Sequence, residues 1–236
     1  LRWDMSSQNM DYYVDQFSPI RNPNFDPLLP PIGNNRYYAP ELAAKRKTPM
    51  VARLQPRIGI SFPVFTNTVF HINYGAFLQR PAFERTVFSR LNKIDGSPIR
   101  LGNPLLKPQE TKSYDIGVIQ ALGEGFTIDI SGYSKDVSNL IERVYYIDEQ
   151  QQFYESYANR DYADIRGFRI FIKKRQGAVN GSIRYNYSVA TGKSSNEFNA
   201  SPVYREKPAE GELSVTLPTP KDILLDFDRT HVFLLQ

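Results

Sequence analysis

The feature that most constrains this chain is a period of two in hydrophobicity, which holds almost everywhere after residue 54. Phe126, Ile128, Ile130 and Gly132 alternate with Thr127, Asp129, Ser131, Tyr133 and then Lys135. Val179, Gly181, Ile183, Tyr185, Tyr187 and Val189 alternate with Asn180, Ser182, Arg184, Asn186 and Ser188. Phe70, Ile72, Tyr74, Ala76 and Leu78 oppose His71, Asn73, Gly75 and Gln79. The spacing recurs at Ile58, Ile60 and Phe62, at Tyr114, Ile116 and Val118, at Phe168, Ile170 and Ile172, and at Leu213, Val215 and Leu217. Strand side chains point alternately to opposite faces, so the pattern predicts strands with one apolar and one polar face. A single helical turn at 136–141 is the one helical element expected.

The connections also alternate. Short turns are predicted at 63–67, 121–125 and 175–178. Long polar segments lie between them at 79–111, at roughly 136–165 and at 192–208, and a segment rich in Pro, Asn and Tyr at 5–52 precedes the first clear strand. Arg143–Ile147 and Phe153–Tyr157 are short enough to extend their flanking strands beyond the sheet body. The stretch from Ile58 to Gln79 has no charged residue and is as long as a membrane helix, which needs about 20 apolar residues. Pro63, Asn67, Asn73 and Gly75 break it repeatedly, so it reads as strand, turn, strand.

Hairpins with every short turn at one end and every long loop at the other point to an antiparallel transmembrane β-barrel. Hydrocarbon offers the backbone no hydrogen-bond partners, so a spanning sheet must close on itself and show apolar side chains to lipid. A wide barrel has a watery interior. That suits faces carrying Asp129, Lys135, Arg184 and Asn186, which a dry core does not hold unpaired. Phe62, Tyr74, Phe126, Tyr185 and Tyr187 fall near strand ends, where interfacial aromatic girdles sit. A soluble sandwich also alternates, but its turns come every 8–12 residues or so. About ten strands are expected here, each about ten residues or longer, and fewer than a large barrel needs.

Composition mainly excludes. The chain has 236 residues, 29 Lys and Arg against 25 Asp and Glu, a net charge of +4 and no cysteine. Disulfide frameworks, thiolate metal sites and cysteine nucleophiles are therefore absent. The basic residues are scattered among nearly as many acids, so no nucleic-acid partner is expected. The first residues have neither the basic nor the apolar region of a signal peptide. The last residues, Val232-Phe233-Leu234-Leu235-Gln236, stop inside an apolar run, and both ends read as cut.

Three local motifs carry a resemblance. The segment Asn103-Pro104-Leu105-Leu106-Lys107-Pro108-Gln109-Glu110-Thr111-Lys112-Ser113-Tyr114-Asp115 resembles the N-P-x-L-x-P-E-x-T-x-x-Y-E segment of TonB-dependent outer-membrane receptors. It departs at Gln109 and Asp115, where the family usually has Glu. Tyr133-Ser134-Lys135-Asp136-Val137-Ser138-Asn139-Leu140-Ile141 is similar to the family's next strand and the start of its loop. Asp226-Phe227-Asp228-Arg229-Thr230-His231 resembles its D-x-D-x-x-H strand. The resemblance implies that Asn103, Pro104, Leu106, Pro108, Thr111 and Tyr114 form a structural loop-to-strand junction. It implies that 54–236 is part of a 22-stranded, plugged barrel and that 1–53 is an extracellular loop region following the end of a strand. The implied setting is the outer membrane of a Gram-negative bacterium. The implied function is binding of a scarce solute (a metal chelate, a cofactor or an oligosaccharide) and its import with energy from the TonB complex. The plug domain that contacts TonB lies outside this chain, and outer-membrane lipid is the remaining partner.

No catalytic set emerges, so no enzyme and no cofactor are expected. His71 and His231 have no metal-ligand neighbour at useful spacing. Asp226 and Asp228 share a strand face and are expected to pair with Arg229 or an interior arginine. Asp148, Glu149 and Glu155 have the chemistry to chelate a hard cation, but solvated loop charge is the simpler reading. Lys173, Lys174 and Arg175 end a strand at the membrane boundary. The loop aromatics and arginines Tyr12, Tyr13, Tyr37, Tyr38, Phe83, Arg85, Arg90, Tyr145, Tyr146, Tyr154 and Tyr157 are candidates for an external ligand. Two other classes share the alternation: a small passive barrel, porin or adhesin, and a soluble β-rich carbohydrate-binding or hydrolytic domain.

Overall fold

The computed structural model describes residues 2–6, 10–15, 17, 19–87, 89–90, 99–193, 203–208, 222–226 and 228–236. The expected strand at Leu213, Val215 and Leu217 lies outside them. Seven strands form an antiparallel meander in which each pairs with the next: β1 (Arg57–Phe65), β2 (Thr68–Gln79), β3 (Gln109–Gly123), β4 (Phe126–Ile147), β5 (Phe153–Lys174), β6 (Gly181–Gly192) and β7 (His231–Leu235). With the short strands that join it, the sheet has eleven strands. It does not close on itself among the described residues, and β1 and β7 are open edges.

The registers align the period-two pattern across the whole sheet. One row runs Ile60, Ile72, Ile116, Gly132, Phe168, Tyr187, His231. The row below it runs Phe62, Phe70, Val118, Ile130, Ile170, Tyr185, Phe233. Most of this band is solvent-accessible: Ile58, Ile60, Phe62, Ile72, Ile116, Ile130, Phe168 and Phe233 are all exposed. Soluble monomers rarely show a contiguous apolar patch beyond a few hundred Å². The opposite face carries Asn73 and Asp115, then His71, Ser131, Arg169 and Asn186 in one row. His71 Nε2 lies 3.2 Å from Asp115 Oδ1, and Arg169 donates to Ser131 Oγ at 3.0 Å.

The first two tight turns are shorter than their sequence signals, and the third, expected at 175–178, runs through 175–180. Pro63 stays within β1, paired with Val69, so the first turn contracts to residues 66–67. An edge strand tolerates proline because its missing N–H costs no ladder bond. The turn after β3 needs three successive positive φ angles, at Gly123, Glu124 and Gly125 (86°, 48° and 75°), and glycine fills two of them without strain. Gly167 answers a different need. A Cβ there would overlap Tyr187 O and lie 2.9 Å from the Tyr133 hydroxyl. Gly167→Ala is expected to lower stability by roughly 2 kcal/mol through overpacking, read as a shift in the urea midpoint of the protein in micelles.

Residues 136–141 form a β-bulge instead of the expected helical turn. Asn139 has φ 58°, and the register shifts on both sides of Leu140. Asparagine tolerates that conformation because its short polar side chain bonds locally. Above the bulge, β4 and β5 leave the sheet as a two-stranded ribbon that turns at 148–152. The segment read as a long loop is therefore mostly strand. Short strands from two other connections cover the ribbon's edges: Ile99–Leu101 runs parallel to Tyr154 and Glu155, and Val203–Arg205 runs parallel to Tyr145–Ile147. The neighbours are exchanged relative to the sheet below. There, β4 borders β3; above, it borders the connection that follows β6. Two-stranded ribbons twist more strongly than sheets, which permits this exchange.

Candidate ligand-binding site

The polar and aromatic side chains converge at the loop end, around the ribbon tip. The described residues of 10–48, between the strand Arg2–Ser6 and the strand Val51–Gln55 with which it pairs, meet that tip through Tyr38. Arg21 bonds Asp15 and, at 3.0 Å, Glu206, which lies on the connection after β6. The Tyr38 hydroxyl donates to Asp148 Oδ2 at 2.7 Å. Asp148 Oδ1 accepts the backbone N–H groups of Gln150 and Gln152 at 2.9 and 2.8 Å. Glu206 Oε2 also accepts from Glu149 N–H at 3.2 Å. Two connections far apart in sequence are thus tied by carboxylates to one hairpin tip and, through Arg21 and Glu206, to each other.

An aromatic cluster fills the space beneath. Tyr146 stacks on Tyr154 with centroids 5.1 Å apart, touches Tyr204 at 5.6 Å and meets Phe17 edge-on at 5.6 Å. Tyr154 is buried with Ile20, Ile99 and Leu101. A cleft of about 160 Å³ opens beside them, lined by Tyr12, Tyr13, Asp15, Tyr146, Tyr154 and Ser156 among others. A second cleft of about 270 Å³ is lined by Arg80, Phe83, Thr86, Pro104, Leu106 and Pro108.

Buried charge frames the site. Glu155 is 2 % exposed, with Arg100 Nε 2.7 Å and Arg143 Nη1 3.7 Å from its carboxylate. Glu142 is 1 % exposed and accepts from Lys193 Nζ at 2.7 and 2.8 Å. Asp148 and Glu155 are therefore structural anchors and not the solvated loop charge expected of them. Among the described residues no cluster of three or more metal-binding side chains occurs.

Burial pushes the Tyr154 hydroxyl far above its ordinary value, and the nearby Tyr146, Asp15, Asp148 and Glu206 add to the shift. Burial also raises Tyr38, reinforced by its hydrogen bond to Asp148. A raised pKa on a neutral acid stabilises the fold fully below the unfolded value, about pH 10 for tyrosine, and the contribution is lost above it. The loop assembly is expected to loosen progressively above about pH 10. Tyrosinate absorbance at alkaline pH should show these two tyrosines ionising last, together with rising protease sensitivity of residues 10–48.

The sequence candidates divide clearly. Tyr12, Tyr13, Tyr146 and Tyr154 share one cleft, and Tyr37 and Tyr38 pack edge to face beside it with centroids 4.8 Å apart. Phe83, on a one-turn helix at Phe83–Val87 that was not expected, lines the other cleft. Tyr145 lies under the Arg143 guanidinium at 5.3 Å, and the Arg90 side chain lies outside the described residues. Arg85 and Tyr157 meet the 103–114 segment through their carbonyls: Arg85 O accepts Asn103 N–H, and Tyr157 O accepts Asn103 Nδ2. Sequence reading missed Asp15, Arg21 and Glu206, because nothing local marks a pair separated by 185 positions.

The 103–114 segment has its own geometry. Asn103 Oδ1 accepts Leu105 N–H at 2.9 Å, Leu106 is buried, and Pro104 borders both clefts. Asn159 Oδ1 accepts Lys107 N–H at 2.7 Å, and its Nδ2 donates to Lys107 O and to Asn139 O in the bulge. The Asn139 amide reaches Pro108 O at 3.4 Å. Thr111 then pairs with Phe77 and Val137, and the Tyr114 ring meets Tyr74 at 5.1 Å. At the other end of the chain, Asp228 makes no arginine pair in the described contacts. It accepts Ala190 N–H at 2.8 Å and the Thr230 hydroxyl at 2.7 Å, where the edge strand is interrupted between Ile223–Leu224 and β7. His231 meets the Tyr185 hydroxyl at 2.9 Å.

An antiparallel meander with an apolar outer band, a polar inner face, tight turns at one end and interlocked loops at the other is the wall of an outer-membrane β-barrel. The chain belongs to the family described as TonB dependent receptor-like, beta-barrel, which matches residues 1–221. This family of Gram-negative outer-membrane proteins comprises transport receptors and not enzymes. Among solved structures, the chain is similar to the FrpB iron transporter from Neisseria meningitidis (F3-3 variant), at 12% identity and a TM-score of 0.43, covering 61% of this chain and 20% of that one. It is also similar to the copper transporter OprC, at 18% identity and a TM-score of 0.41, covering 62% of this chain and 22% of that one. The chain thus spans about a fifth of those transporters. No curated protein matches it.

Proposed function

We propose that this chain is part of the barrel wall of an outer-membrane uptake receptor that captures a scarce solute at its loop end. The observation that supports this best is the family match together with an apolar band held in register across seven strands. In this reading, 54–236 is the partial barrel and 1–53 is an extracellular excursion following the end of a strand. The apolar band faces the lipid of a Gram-negative outer membrane. The polar face with His71, Asp115 and Arg169 faces a plug domain, through which the TonB complex supplies energy. Asn103, Pro104, Leu106, Pro108, Thr111 and Tyr114 act as the junction that returns a long loop to the sheet. No ligand contact is assigned to them.

The test is the complete gene product expressed in a Gram-negative host. It is expected to fractionate with the outer membrane, to migrate differently on gels before and after heating, and to support uptake that stops when TonB is deleted. A product recovered in the soluble fraction, or uptake indifferent to TonB, overturns the reading.

A further inference from the structure

We propose that Arg169, Arg184 and Asn186 form a binding site for a carboxylate on the polar face of the sheet. The inference rests on the uptake reading above for its setting, since that reading makes this face the wall of the barrel interior. A depression of about 460 Å³ opens there, lined by Asp129, Arg169, Phe171, Arg184, Asn186 and Val232. The registers explain the grouping. Ser131, Arg169, Asn186 and Val232 form one row, and Asp129, Phe171 and Arg184 form the row below it. Arg169 and Arg184 are therefore diagonal neighbours on adjacent strands. Such neighbours lie about 7–8 Å apart, which lets one carboxylate sit between two guanidinium groups.

Both guanidinium groups are held and both are reachable. Arg184 is exposed and lies over the Phe171 ring, 5.0 Å from its centroid. Arg169 is half-buried and donates to Ser131 Oγ at 3.0 Å. One grip uses a ring face and the other a single N–H, so most of the five donors on each arginine are left for a ligand. The Tyr133 hydroxyl donates to Asn186 Oδ1 at 3.1 Å, which orients that amide and leaves its Nδ2 as a further donor.

Charge selects the ligand. Below the bulge, Lys135, Arg169, Lys173 and Arg184 take positions on the polar face of β4–β6, against the single acid Asp129. Among the described residues none of these four cations forms an ion pair. The lining itself carries two guanidinium groups and one carboxylate, a net charge of +1. A carboxylate neutralises it and accepts the paired N–H groups that arginine presents. A cation meets repulsion, and a neutral solute leaves both arginines without an anion. Two sources carry this chemistry: an acidic side chain of polypeptide inside the barrel, and a small acid in the water there.

The test uses the complete receptor in detergent micelles and has one arm for each source. In the first, Arg184→Lys places an amine in the site, and a carbodiimide couples amines to carboxylates in contact with them. Mass spectrometry is expected to find a crosslink from position 184 to an Asp or Glu elsewhere in the receptor, absent from the wild type. In the second, succinate is titrated by calorimetry, with succinamide as the neutral control. A crosslink without succinate binding assigns the carboxylate to the protein. Succinate binding that Arg169→Gln and Arg184→Gln each weaken about tenfold, the worth of one charged hydrogen bond, assigns it to a small acid. Gel migration before and after heating checks that the variants fold. Arg184 is exposed, so its substitution decides the result alone if Arg169→Gln does not fold. The proposal is overturned by the absence of a crosslink together with either no succinate binding or succinate binding that Arg184→Gln leaves unchanged. That outcome with TonB-dependent uptake intact leaves the uptake reading standing. A crosslink in a receptor whose uptake ignores TonB does the reverse.

Discussion

Lys193→Met is expected to destabilise the protein by about 3 kcal/mol, because it removes a buried cation that meets both oxygens of a buried carboxylate. Lys193 follows β6 directly, and its ammonium meets both oxygens of Glu142 at 2.7 and 2.8 Å. The two side chains are 9% and 1% exposed, so water does not readily take the ammonium's place. Breaking a buried pair from one side costs about 3–5 kcal/mol, far more than the 1 kcal/mol or less of a surface bridge. Glu142 sits just above the bulge, where the ribbon leaves the sheet, so the damage should begin there. Urea unfolding in micelles should show a lower midpoint at an unchanged slope. Glu142→Gln combined with Lys193→Met should recover part of the loss, since the buried charge that lost its ammonium partner is gone. A midpoint unmoved by Lys193→Met would show that the pair does not bear on stability.

Asp148→Ala is expected to release the loop assembly while leaving the sheet intact. Its carboxylate accepts two backbone amides of the ribbon turn and the Tyr38 hydroxyl, all within 2.9 Å, and the residue is 2 % exposed. Hydrogen bonds to a charged acceptor contribute about 1.5–3 kcal/mol each, and orphaned buried donors add their own cost. A local loss of roughly 3 kcal/mol follows, concentrated at the tip, where Gln151 also holds a positive φ of 58°. Hydrogen exchange should quicken around Tyr38 and across 148–152, while the β3–β4 ladder below the bulge stays protected. Asp148→Asn should fall between wild type and alanine, because the amide keeps one acceptor. Equal acceleration in the ladder would mean that the tip and the sheet unfold as one unit.

Strand faces were legible before any coordinates. Ile128 and Ile130 opposite Asp129 and Ser131 assign the two sides of β4, and the registers pair Ile128 with Ile172 and set Ile130 in a row with Val118 and Ile170. Turn positions were legible too, because Gly123, Gly125 and Gly177 occupy positive φ angles that other residues avoid. The bulge was misread as a helical turn. Val137, Leu140 and Ile141 have helix-like spacing, but neighbouring strands on both sides outweigh that local preference.

Of the candidate site, the residue types were legible and their grouping was not. The sequence marks Tyr12, Tyr13, Tyr146 and Tyr154 only as loop aromatics, scattered over more than half the chain. Asp15, Arg21 and Glu206 had no signal, and Glu142, Asp148 and Glu155 look like any surface acids.

By itself, the sequence determined the strands, the face each side chain takes, the short turns and, through its motifs, the family. These are local properties: the strand period is a consequence of backbone geometry, and turn residues act on their own φ angles. Only the tertiary structure decided which loops meet. That depends on a register shift at Leu140, on the exchange of neighbours along the ribbon, and on ion pairs between residues far apart in the chain. Each of those contacts gains its strength from burial, and burial is a property of the assembled fold, not of any stretch of sequence.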